Sequence, residues 1–97
     1  MRFKEFQKLI EELYLKKDNA RGIKGTFIWL IEEIGELATL LNKEDFDRVR
    51  ISEEIADIIA WTSSIANLLE IDIESALKQK YPGKCSKCNS NPCICRF

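Results

Sequence analysis

The chain has 97 residues, with 15 basic and 16 acidic side chains, a net charge of −1, four cysteines and no histidine. That length suits one domain and not two, and a near-balance of charge without a basic stripe argues against a nucleic-acid binder. Without histidine, the commonest general base, any chemistry must use carboxylates, lysines, cysteines or bound metal.

From the N-terminus, Phe3, Phe6, Leu9, Ile10, Leu13 and Tyr14 recur at three- and four-residue spacing, the mark of an amphipathic helix. The opening MRFKEFQKLIEEL is charged throughout, so no secretion signal is expected, and no apolar run approaches the roughly 20 residues that span a bilayer. A cytoplasmic, non-membrane protein is the expectation. DNARGIKG supplies turn formers, and Thr26 after it is the expected N-cap of a second helix. That helix carries Phe27, Leu30, Ile31, Ile34, Leu37, Ala38 and Leu41 on one broad apolar face, and Trp29, Glu33, Glu36 and Leu40 on a second stripe. Burying both sides of a helix is hard in one small bundle, so the second stripe points to a partner subunit. NKEDFD breaks the pattern, and a third helix is expected from about Asp47 to Leu69, with a short fourth one capped by Asp72. An all-α four-helix bundle over residues 1–81 is therefore expected, followed by a cysteine-rich tail over residues 82–97.

The acids of the middle helices lack local counter-charges. Glu33 and Glu36, then Glu54 and Asp57, form i, i+3 pairs flanked by large apolar residues, and only Glu54 has a basic neighbour, Arg50, one turn away. A single such acid would be an ordinary solvated side chain. Two pairs on consecutive helices that pack antiparallel would instead bring four carboxylates together. Oxygen-only ligands suit Mg²⁺, or Mn²⁺, completed by water and phosphate oxygens, whereas di-iron bundles use histidine.

Glu32–Glu36 (EEIGE), a gap of seventeen residues, and Glu54–Asp57 (EIAD) resemble the EExxE…ExxD signature of the MazG-like nucleotide pyrophosphohydrolases, of the all-α NTP pyrophosphatase superfamily. The likeness extends over about residues 25–85, through WLIEEIGELATLL and EEIADIIAW to SALKQKYPGKC. The resemblance implies a Mg²⁺-dependent enzyme that cleaves nucleoside triphosphates between the α and β phosphates, for nucleotide-pool house-cleaning, as a dimer or dimer of dimers. It implies metal ligation by Glu33, Glu36, Glu54 and Asp57, with Glu32 and Glu53 as flanking acids. Glu32 or Glu36 would accept the proton from the attacking water. Lys80, with Lys24, is a candidate for phosphate contact. Trp29 and Trp61 either stack on a base or bury in the core or interface; Asn67 is expected on an exposed face. Many members of the family continue the last helix, whereas Tyr81-Pro82-Gly83 stops it here.

In the tail, Cys85-x2-Cys88 and Cys93-x-Cys95 flank NSNP, a spacing that could close an all-thiolate zinc site. Four thiolates leave no open position for catalysis. Two further readings compete with the triphosphate enzyme: a phosphoribosyl-ATP pyrophosphohydrolase-like enzyme, and a non-catalytic helical module docking through a zinc-binding tail.

Overall fold

The chain folds, in a computed structural model that describes residues 1–96, into α1 (Phe3–Leu41), α2 (Arg48–Leu68) and α3 (Ile73–Lys80), with no strand among the described residues. The all-helical class holds, but the helices number three rather than four. DNARGIKG was expected to form a turn, and only one of its residues leaves the helix. Gly22 sits at φ 80°, ψ 172°, a region that glycine alone enters freely, and it divides α1 into two arms. The flanking turn formers stay helical because their side chains find partners there. Asp18 pairs with Arg21 at 2.8 Å, one turn on. Thr26 is not an N-cap: its hydroxyl donates to the Gly22 carbonyl at 2.7 Å, and the residue is fully buried.

The second arm of α1 runs antiparallel to α2, since Trp29 meets Trp61 while Glu33, further on, meets Glu54. α2 starts at Asp47, whose carboxylate accepts from the Arg50 amide at 3.2 Å. It ends at Leu68, and past the C-cap Leu69, Glu70 takes a left-handed φ of 55° so that the Ile71 amide can reach back to the Ala66 carbonyl at 2.8 Å. Asp72 then caps α3.

Gln7 fastens these elements. Its side-chain amide donates to the Asn67 side chain at 3.0 Å and to the Ile71 carbonyl at 2.6 Å, and its oxygen accepts from the Ile73 amide at 3.0 Å. Asn67 also donates to the Gln7 backbone at 3.2 Å, so it is an internal clasp and not the exposed side chain expected from sequence. Arg2 adds an ion pair to Glu74 at 2.6 Å.

Neither stripe of the second arm is wholly covered: Trp29 is still 45% exposed. Leu40, Glu33 and Trp29 lie toward α2, and Leu40 is buried there. Phe27, Ile31, Ile34 and Leu41, expected in the core, are about half exposed. Among the described residues, only Ile10, Leu40 and Ala66 form the buried apolar core. The radius of gyration is 15.8 Å, against about 12.5 Å for a compact domain of this length. One chain alone therefore leaves a wide apolar surface uncovered.

Candidate functional site

Glu33 and Glu36, three residues apart on the second arm of α1, project with Glu54 of α2 toward one point. One carboxylate oxygen from each lies within 4.8 Å of the others. The Oε2 atoms of Glu33 and Glu54 are buried with no hydrogen-bond partner. Buried polar atoms are nearly always satisfied, so two orphaned oxygens in this cluster are a lack that a cation would fill. Among the described residues, no ion pair reaches these acids. The like charges are felt strongly. The Glu33 carboxyl is raised to about 7, first by its hydrogen-bonding contact with Glu54, then by burial and by the charges of Glu54, Glu36 and Asp57. Glu36 is raised as well, chiefly by the charge of Glu54. The donor set fits a hard divalent cation: oxygen only, negatively charged, partly desolvated and without internal counter-ions.

Asp57, one turn beyond Glu54, does not join the three converging oxygens. It is exposed and lines the adjoining cleft, while its charge still raises both Glu33 and Glu36. Glu32 is exposed, and its charge contributes to the shift of Glu36.

The cleft encloses about 280 Å³ between the first arm of α1 and α2, and Tyr14, Lys17, Asp18, Arg21, Asp57, Trp61 and Ser64 are among its walls. Trp29 and Trp61 stack at 5.9 Å with their planes 10° apart. The Arg21 guanidinium lies 4.8 Å from the Trp61 ring centre, on a site where cation and ring reinforce each other. Gly25 makes room for it, because a Cβ there would stand 2.8 Å from Arg21 Cγ. Asp18 is 1% exposed; one carboxylate oxygen receives Arg21, and Oδ2 has no partner.

The sequence placed Tyr14 on the apolar stripe of the first helix and Asp18 and Arg21 in a turn, and gave Lys17 no role. Their spacing of three, one and three was the available signal, since it places all four on one helical face. Of the expected substrate contacts, Trp61 lines the cleft and Trp29 backs it. Lys80 instead lies at the end of α3, 5.9 Å above the Tyr81 ring, and is not among the cleft walls. Lys24 is exposed.

At the other end of the chain the four cysteine sulfurs also gather, all within 4.8 Å of one another, as free thiols. Backbone amides aim at them, and the Cys88 thiol is lowered to about 6, first by the Ile94 amide and then by that of Ser90. Cys85 is lowered by the amides of Cys88 and Lys87. Cys95 is raised to about 11 by the neighbouring sulfurs, that of Cys93 foremost.

Residues 21–89 match the MazG nucleotide pyrophosphohydrolase domain, a span that starts beside the Gly22 break and takes in both acid pairs, Cys85 and Cys88. No curated protein matches the chain.

Proposed function

The chain belongs to the MazG nucleotide pyrophosphohydrolase family, and from that premise we propose that it hydrolyses nucleoside triphosphates between the α and β phosphates in a magnesium-dependent reaction. The observation that carries this reading is the pair of buried, unpartnered oxygens of Glu33 and Glu54, with Glu36 converging on the same point. Glu33, Glu36 and Glu54 would hold the ion, and Asp57 would join from the cleft side. Bound there, Mg²⁺, or Mn²⁺ in its place, supplies charge neutralisation for the triphosphate and a water of lowered pKa.

The chain's own residues do the rest. Water adds to the α phosphorus as the bond to the bridging oxygen breaks, releasing monophosphate and pyrophosphate. The proton lost by that water passes to a carboxylate. Glu36 and exposed Glu32 beside it are the two candidate acceptors. The cleft suits the nucleoside. Trp61 offers a ring face, and Arg21 and Lys17 offer positive charge.

The working unit is an oligomer of identical chains. Phe27, Ile31, Ile34 and Leu41 are each 44–50% exposed and Ile28 65%, a contiguous apolar patch of the kind that marks an interface. A second copy of α1 is the natural cover. No helix among the described residues is long and apolar enough to cross a membrane, and we place the protein in the cytoplasm.

The test is phosphorus NMR with Mg²⁺ and a panel of ribo- and deoxyribonucleoside triphosphates. Pyrophosphate with matching monophosphate, lost with chelator and in Glu54→Ala, is expected. Orthophosphate would mean that another bond is cut. Silence across the panel, with phosphoribosyl-ATP included, would favour a non-catalytic helical module.

A further inference from the structure

The cysteine tail has a separate chemistry from the acids. Between Gly83 and Arg96 only Ile94 is a large apolar residue, and it is 74% exposed, so no hydrophobic core holds this segment. The segment nonetheless has a definite shape. The Cys85 amide donates to the Ser90 carbonyl at 2.9 Å, and the Asn89 amide returns to the Cys85 carbonyl at 3.0 Å. The Asn91 side chain closes onto the Gly83 carbonyl at 2.9 Å. Asn89 follows directly on Cys88 and takes φ 60°, a left-handed conformation that asparagine tolerates better than most residues. This turn folds the first cysteine pair back on itself and leaves the second pair opposite.

Two features of the sulfurs bear on what they hold. The first is spacing. The Cys85 and Cys95 sulfurs are 3.8 Å apart, and those of Cys88 and Cys93 are 4.0 Å apart. A regular tetrahedron of thiolates at about 2.3 Å from a central zinc has edges of about 3.8 Å. A cluster of several irons would hold its ligands further apart. The second is the donors around them. The amides of Lys87, Ile94 and Cys95 point at the sulfurs of Cys85, Cys88 and Cys93 at 3.4, 3.5 and 3.3 Å. Amide donors to sulfur favour the thiolate over the thiol, which is the ligating form. Charge agrees with this. Four thiolates around one Zn²⁺ carry a formal charge of −2, and Lys84, Lys87 and Arg96 are the charged side chains of the segment, all positive.

From this geometry we infer that Cys85, Cys88, Cys93 and Cys95 bind one Zn²⁺ as a closed tetrathiolate site, and that this ion, rather than side-chain packing, holds residues 83–96 in shape. Each thiol gives up its proton to solvent as it binds, and no redox change accompanies loading. Four protein ligands leave no position for water or substrate, so the site is structural and independent of the carboxylate site.

The test uses the full chain, expressed and purified with zinc present. One zinc per chain by elemental analysis is expected, with four thiols that resist alkylation until a chelator is added. Exchange for Co²⁺ should give the thiolate-to-cobalt charge-transfer bands and visible ligand-field bands of a tetrahedral sulfur site. The Cys88→Ser/Cys93→Ser double variant should lose the zinc and the cobalt spectrum, whereas Glu54→Ala should keep both. Four thiols that react at once in zinc-supplemented protein would overturn the assignment. So would iron in place of zinc, or zinc that follows Glu54 and ignores the cysteines.

Discussion

The chain contains two clusters of potential ligands that were assembled in opposite ways. The carboxylates come from two long helices, with Glu33 and Glu54 twenty-one positions apart, and the backbone that presents them is regular helix on both sides. The thiols come from eleven consecutive residues in irregular backbone, Cys85 to Cys95. In the first cluster the fold holds like charges together against their repulsion, and buried oxygens are left without donors. In the second, local amides already supply donors to the sulfurs, and there is almost no packing to keep the loop in place. The difference separates two kinds of order. Helix packing pre-forms the acidic site, at a cost in stability that a hard cation would relieve. Among the described residues of the tail, the ligand atoms themselves are the main candidates for a core.

The strongest way to sharpen the contrast is to remove one acid. Glu54→Ala should lower kcat/KM by about a hundredfold or more, since the proposed cation site would lose the member that joins the two helices. Circular dichroism should show the helices intact, and the metal-free protein should melt no lower than the parent, because a source of repulsion has gone. A variant that unfolds instead would mean that Glu54 supports the helix packing itself.

A second break targets the frame that carries the acids. Gly22→Ala places a Cβ at φ 80°, ψ 172°, where there is space for it but backbone strain of about 1–3 kcal/mol. Thermal denaturation should register that loss. The tail should be untouched, and its thiol reactivity should match the parent's.

pH offers a third, gentler probe. The Glu33 carboxyl is ordinary in the unfolded chain, at 4.5, and raised to about 7 in the folded one. The folded state therefore holds the extra proton. Its contribution to stability is full below about pH 4.5 and is lost as the pH climbs through about 7. Melting temperature measured without metal should fall across that window, and Mg²⁺ should flatten the fall because it replaces the proton. A profile that rises with pH in the absence of metal would contradict the crowding described here.

The smallest effect should come from Gly25→Ala, which pushes Arg21 from its place on Trp61. A cation–ring contact of this kind is worth about 0.5–1 kcal/mol, so KM should rise by about two- to fivefold with kcat nearly unchanged. An equal drop in kcat would move Arg21 from its proposed substrate contact into the chemistry.

How much of this was legible in the sequence depends on the range of the interaction. The acid pairs were legible because i, i+3 spacing without nearby lysines is a local signal, and three of the four residues do converge. Asp57 shows the limit. Its position on the helix could be read, but whether it points at Glu33 or into the cleft depends on how α2 is rotated against α1. DNARGIKG was read as a turn, and Gly22 within it does break α1, yet the turn was drawn too wide. Asp18, Arg21 and Thr26 prolong the helix through contacts that propensity does not record. The two faces of the second arm were both apolar enough to bury, and sequence could not say which one the chain covers with its own α2. Asn67 looked like a surface amide because its partner, Gln7, lies sixty residues earlier.

That last pairing also has a meaning in time. The Gln7 clasp joins α1 to the α2–α3 corner across separations of 60 to 66 residues, whereas Trp29 and Trp61 are closer along the chain by about half. Closing the longer loop loses more chain entropy, so the tryptophan pair has the kinetic advantage and the clasp is expected to lock late. Gln7→Ala should then hasten unfolding while leaving the folding rate nearly alone, which stopped-flow tryptophan fluorescence would read directly. On this view Gln7 acts as a latch: it does little to bring the helices together and much to set how long they stay there.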